Sequence, residues 1–190
     1  ETGMISYKDM NGDGKINVSD KHYIGDANPW FTAGMTNTIS WKGLSLSFLL
    51  TASVGNDIYN ASKIEMIGMY TGANQIKDAV RRWRVPGQIT DIPKAGELDN
   101  LRASTRWVED GSYLKFKNIT LSYDITCPKL RKANISRIQP YITLDNMVTF
   151  TGYSGYDPEM SQYTSATNTG IDWGTYPCVK TVLFGVNVEF

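Results

Sequence analysis

The chain has 190 residues, 41% hydrophobic and 20% charged, enough for a sizeable core and within the ordinary globular range. Its 19 basic and 19 acidic residues cancel, so there is no net field to draw in a nucleic acid or an anionic membrane surface. Two cysteines (Cys127, Cys178) and one histidine (His22) exclude Cys/His zinc clusters, and no run approaches the ~18 apolar residues of a spanning helix.

The first motif is "DMNGDGKINVSD", Asp9 to Asp20. Oxygen donors fall at positions 1, 3, 5, 7, 9 and 12 of a calcium loop: Asp9, Asn11, Asp13, the Lys15 carbonyl, Asn17 and Asp20. Gly14 holds position 6, where the turn is sharpest. Such a set suits a hard cation, calcium first and magnesium second, in a structural role. Position 12 departs from the EF-hand in carrying Asp20 where a longer bidentate Glu is usual, which weakens binding. The plainer alternative is a solvated Asn-Gly and Asp-Gly turn that binds nothing.

Period-two alternation then dominates. Phe31, Ala33, Met35, Ile39 and Trp41 share one parity, and after the break at Lys42-Gly43 so do Leu44, Leu46, Phe48, Leu50 and Ala52. The spacing predicts a hairpin over 30–54. A long segment, 55–106, follows, with helical spacing of Ile76, Ala79, Val80 and Trp83. It predicts a loop carrying one short helix over Gln75 to Arg84, whose Arg81, Arg82 and Arg84 read as a solvated face rather than an anion site.

A second hairpin is expected over 107–150, with Ile119, Leu121, Tyr123 and Ile125 on one strand and Ile138, Ile142, Leu144 and Val148 on the other. The loop 151–176 holds "GYSGYDPE", whose Tyr153, Tyr156, Asp157 and Glu159 are weak candidates for contacting substrate, a packing role being the stronger reading. The final strand, 177–190, alternates Val182, Phe184, Val186, Val188 and Phe190 against polar neighbours. No acid, base and nucleophile come together, and "GYSG" is not a nucleophile elbow, so no catalytic residues are expected and an enzyme is the weakest reading.

Strands with one apolar and one polar face fit a soluble sandwich or a membrane barrel. Short and long connections alternate, the strands suit the ~9 to 11 residues that cross a bilayer core, and aromatics gather near strand ends. That favours the barrel. Five strands with an apolar outer face leave two open edges in lipid, which a bilayer does not tolerate, so more strands are required. The competing reading is a soluble calcium-binding β-domain of an adhesin or carbohydrate-binding protein.

Several blocks together carry a resemblance: "YKDMNGDGKIN", "GDANPWFTAGMTNTISWKGLSLSF", "GNDIYN", "YLKFKNITLSY", "LDNMVTFTGYSGYDPE" and the closing "VLFGVNVEF". In this order they resemble the C-terminal end of SusC/RagA-type TonB-dependent outer-membrane transporters of Bacteroidetes, over essentially the whole chain. The resemblance implies an all-β fold: five C-terminal antiparallel strands of a 22-stranded transmembrane barrel with an N-terminal plug. The implied partners are the rest of the barrel and plug, TonB, a SusD-like lipoprotein, a glycan or peptide substrate and outer-membrane lipid. It also implies a terminal aromatic read by the assembly machinery. The loop 1–29 with its cation motif, and the loops 55–106 and 151–176, would then lie outside the cell. Cys127 would lie in a periplasmic turn, and Cys178 at the outer end of the last strand.

Overall fold

In the computed structural model of the chain, residues 3–132, 134–159 and 169–190 are described. They fall into two compact units. Of the described residues, one unit comprises 28–56, 110–132, 134–159 and 176–190, and the other 3–27, 57–109 and 169–175.

The first unit is a single antiparallel sheet. Strands β1 (Phe31–Trp41) and β2 (Leu44–Val54) form a hairpin whose turn residues Lys42 and Gly43 both have positive φ, 47° and 87°. Two successive left-handed residues match the twist of the flanking strands, which is why a glycine is needed at the second. The remaining members are β5 (Tyr113–Tyr123), β6 (Arg137–Thr151) and β8 (Thr181–Glu189), in spatial order β1-β2-β5-β6-β8. The turn from β5 to β6 carries α2 (Pro128–Lys132).

Register across the strands sorts the side chains. One rung reads Ile39, Leu46, Leu121, Ile142, Phe184, and its neighbour reads Thr38, Ser47, Thr120, Thr143, Leu183. Odd and even rungs point to opposite faces, so one face is nearly all apolar and the other mostly polar. Cross-strand hydrogen bonds stitch the polar face: Thr38 to Ser47 (3.2 Å), Ser40 with Ser45 (2.9 Å), Thr120 with Thr143 (2.9 Å), Asn118 to Asp145 (2.7 Å) and Asn187 to Gln139 (3.1 Å). The apolar face stays open: Ile39 is 58% exposed, Phe184 75% and Val186 59%.

A bulge interrupts this order. Leu49 pairs with Asn118 and Leu50 with Phe116, leaving Lys117 as an extra residue, and on the other side Asn118 faces Asp145 while Phe116 faces Val148. Asn146 absorbs the mismatch at φ 54°, a conformation Asn tolerates better than most side chains. The bulge keeps Leu114 and Phe116 on the apolar face although they are out of phase with Ile119 and Leu121. Near the other end, the β5–β6 pairing stops at Tyr141 and resumes at an isolated bridge between Ile125 and Ile138, so Pro140, which has no N–H to give, sits in the gap. Gly185 lies beneath the ring of Tyr141, where any Cβ would collide.

The second unit is loop-rich. Strands β3 (Asp57–Asn60), β4 (Val108–Asp110) and β7 (Ile171–Asp172) form a small sheet in the order β4-β3-β7, with β3 and β7 parallel. Helix α1 (Ala61–Gly68) is capped by the Asn60 side chain, which accepts the Lys63 N–H at 3.1 Å. It buries Ala61, Ile64 and Ile67 in a core shared with Ile58, Ala79, Ile92 and Trp107. The helix expected over Gln75 to Arg84 is only a 3-10 turn at Lys77–Arg81. The turn starts without a side-chain cap, ends at Arg82, whose ψ of 152° is extended, and meets Pro86 and Gly87 within a few residues, whereas the α-helix forms earlier, behind a side-chain cap. Asn100, 2% exposed, joins the N-terminal segment to this unit by accepting the Ile5 N–H at 2.8 Å and donating to the Lys94 carbonyl at 3.3 Å.

Candidate functional site

Two groups of residues carry chemistry. The first is the loop from Asp9 to Asp20, whose two glycines, Gly12 and Gly14, both sit at positive φ. Asp9 accepts the N–H groups of Gly12 and Gly14, both at 2.7 Å. Asp20 accepts those of Met10 (2.9 Å) and Asn17 (2.7 Å), and Asp13 accepts that of Lys15 (2.8 Å). Hydrogen bonds from Asn17 and Met10 hold the Asp20 carboxyl below its ordinary value. Asn11 and Asn17 each fold back on the N–H two residues on, at 3.0 and 2.8 Å.

The donor set is all oxygen, and each carboxylate oxygen that accepts one N–H keeps a second lone pair, so the chemistry fits a hard cation. The gathered groups are not carboxylates alone: among the described residues no three His, Cys, Asp or Glu side chains converge as a metal-binding cluster. Amide and carbonyl oxygens from Asn11, Asn17 and Lys15 would have to complete a site. At its base the loop is tied into its unit by the Tyr7 hydroxyl, which donates to the Asp99 carbonyl at 2.6 Å.

The second group is an ion cluster on the polar face of the five-stranded sheet. Lys115, whose side chain is 2% exposed, donates to both oxygens of Asp157 (3.2 and 3.0 Å) and to Glu159 (2.8 Å). Lys117, pushed outward by the bulge, pairs with the other oxygen of Glu159. Asp157 also accepts the N–H of Glu159 at 3.1 Å and that of Cys178 at 3.3 Å. Burial pushes both carboxyls up, but Lys115 with the Glu159 and Cys178 N–H groups outweighs it at Asp157, and Lys115 with Lys117 outweighs it at Glu159, so both end below their ordinary values. The Cys178 thiol is pushed up, first by burial, and Cys127 and Cys178 form no disulfide.

Beside this cluster a cleft of about 390 Å³ opens, lined by Lys115, Thr149, Tyr156, Tyr176, Cys178 and Lys180 among others. Of the four residues singled out in "GYSGYDPE", Asp157 and Glu159 are engaged by lysines, Tyr153 is buried, and Tyr156 is exposed at the cleft. Lys115, Tyr176 and Lys180 had not been singled out. The available signal for Lys115 was a charged residue opposite apolar neighbours on a strand, with an Asp-Pro-Glu downstream to neutralise it.

A meander of long strands, apolar on one face, polar on the other and bare at both edges, defines a piece of a larger β-barrel wall. No protein-family model matches the chain. It is 34% identical to TonB-dependent receptor P3 of Formosa agariphila over 97% of its length, and 26% identical to TonB-dependent receptor SusC of Bacteroides thetaiotaomicron, also over 97%. It spans 19% and 17% of those two proteins. Among solved structures it matches one chain of the RagAB peptide transporter at TM-score 0.79 and 25% identity, covering 93% of this chain and 19% of that one. The chain is therefore a β-barrel segment of a SusC/RagA-type TonB-dependent receptor, about a fifth of the length of its relatives.

Proposed function

We propose that the chain is part of the wall of an outer-membrane importer driven by TonB, taking up glycan or peptide nutrients through a 22-stranded barrel with a plug and a SusD-like surface lipoprotein. The observation that carries this reading is the open apolar face, running unbroken from β1 to β8 beside a hydrogen-bonded polar face. A soluble sandwich would cover such a face. Eleven-residue strands rise roughly 36 Å, and a ~45° tilt brings that to about the ~25 Å height of an outer-membrane apolar band. Trp41, Tyr123 and Phe190 near one end of the sheet, and Trp30, Phe31 and Phe150 near the other, supply two aromatic belts.

The unpaired edges of β1 and β8 are intolerable in lipid, so both must be completed by further strands of the same protein. The relatives are named receptors and a transporter, in keeping with a chain whose chemistry is binding rather than catalysis. On this topology the cation loop and the long segments 55–106 and 151–176 face the outside. There, sites of ~10⁻⁴ to 10⁻³ M affinity suffice for a structural calcium at Asp9, Asn11, Asp13, Lys15, Asn17 and Asp20.

The test is an unboiled against a boiled gel of native outer membranes, with mass spectrometry of each band. A large heat-modifiable species containing this sequence, a plug and a lipoprotein is expected. A small water-soluble species carrying the sequence alone overturns the reading in favour of a calcium-stabilised binding domain.

A further inference from the structure

The cleft beside the ion cluster is built rather than incidental. Its floor is the polar face of the sheet, where Thr51, Lys115 and Thr149 share a rung. One wall carries Tyr156 and Asp157, and Asp157 is fastened to that floor by Lys115. The other wall is the segment leading into β8, fastened twice: Cys178 donates its N–H to Asp157, and Asn146, in the bulge, donates from Nδ2 to the Val179 carbonyl at 3.2 Å. Both walls are thus held to the sheet and to each other before any ligand arrives, which lowers the ordering cost of binding.

The lining then dictates the guest. Two tyrosines, Tyr156 and Tyr176, are 73% and 79% exposed and offer large, stiff faces for the C–H side of a ring or an aliphatic chain. The charges of Lys115 and Lys117 are spent on Asp157 and Glu159. Lys180 lines the same cleft and makes no ion pair among the described residues, so the cleft keeps one uncompensated positive charge. At about 390 Å³ it accepts a ligand of one or two residues' size.

We propose that this cleft is a carboxylate-binding subsite on the polar face of the barrel wall, with Lys180 as its cation and Tyr156 and Tyr176 as its stacking walls. The guest is a carboxylate carried next to an apolar face, which an acidic sugar and the C-terminus of a short peptide both supply. Lys115 and Asp157 are positioning residues that shape the walls. The proposal rests on the importer reading and names the chemistry at one point along its path.

The experiment uses the full-length receptor in detergent and titrates it calorimetrically with trigalacturonate and trialanine, each beside its neutral counterpart, the methyl ester and the amide. At least one acid is expected to bind at least tenfold more tightly than its neutral form. Lys180→Met should erase that preference, Lys180→Arg should keep it, and Tyr176→Ala should weaken the acid several-fold. Binding of the sugar acid alone, or of the peptide alone, assigns the source and supports the subsite either way. Equal behaviour of acid and neutral forms, or a preference that survives Lys180→Met, overturns it. A heat-modifiable, plug-bearing barrel that ignores all four probes sinks the subsite and leaves the importer reading intact, while a soluble monomer on the gel sinks both.

Discussion

Lys115 Nζ lies 3.0 Å from Asp157 Oδ2, joining a sheet strand to a loop across 42 positions of sequence. The ammonium is almost fully removed from water, so it is tolerable only because two carboxylates surround it. Lys115→Met strands the buried Asp157 carboxylate and leaves Glu159 to Lys117 alone, and should destabilise the receptor by about 3–5 kcal/mol, measured as the urea midpoint for loss of the folded band. Combining it with Asp157→Leu should recover part of the loss, because one stranded charge is gone. A change within about 0.5 kcal/mol for Lys115→Met, the scale of an ordinary surface substitution, would contradict this account.

The same cluster makes stability depend on pH. Asp157 and Glu159 titrate below their ordinary values of 3.8 and 4.5, so their contribution is fully present above those values and drains away as pH falls through the lower folded ones. Melting temperatures of the native receptor and of Lys115→Met should therefore differ clearly at pH 7 and converge as the carboxyls protonate in acid. Parallel curves down to pH 3 would show that the cluster is not what titrates.

The cation loop predicts a ligand-dependent fold at its tip. Calcium or terbium should bind with a dissociation constant of ~10⁻⁴ to 10⁻³ M and protect the segment from proteolysis. Asp9→Ala should abolish both effects, since it removes the acceptor for the Gly12 and Gly14 N–H groups as well as the first donor. Because hydrogen bonds depress the Asp20 carboxyl, the loop should keep its order above that carboxyl's ordinary value of 3.8 and lose it in stronger acid. A loop equally protease-sensitive with and without 10 mM calcium refutes the structural-cation role, that excess being roughly tenfold over the weak end of the range.

Adjacent residues of β8 should respond oppositely to the same charge. Phe184 lies on the apolar rung with Ile142, and Leu183 on the polar rung with Thr143. Phe184→Arg should cost about 2–4 kcal/mol in a bilayer, as lipid-facing charges near the midplane do, and Leu183→Arg should be much milder. Folding yields into lipid vesicles compare the two directly. Equal penalties would mean that the two faces do not meet different solvents.

The sheet was largely legible, because alternation in "FTAGMTNTISW" and "TVLFGVNVE" follows directly from side chains that must meet different surroundings on two faces. It failed where the backbone broke its own period. Lys117 and Asn146 shift the phase in mid-strand, so Leu114 and Phe116 belong with Ile119 and Leu121 despite the opposite parity. The helix was misplaced for a related reason: apolar spacing alone favoured Gln75 to Arg84, while the decisive term was the Asn60 cap in front of Ala61. Of the cleft, only Tyr156 and Asp157 had been singled out in the sequence. Its walls come from residues some twenty positions apart, Asp157 and Cys178, and nothing in either stretch announces the other.

The seam between β2 and β5 closes over the whole of segment 55–112, and that between β6 and β8 over 152–180. The entropy of closing such an excursion grows only with the logarithm of its length, each doubling costing ~0.6 kcal/mol. Once the rungs are set, the segments between them can lengthen, shrink or be exchanged over evolutionary time at almost no expense to the wall. The inserts can therefore be edited in length and sequence while the strands that hold them keep their register.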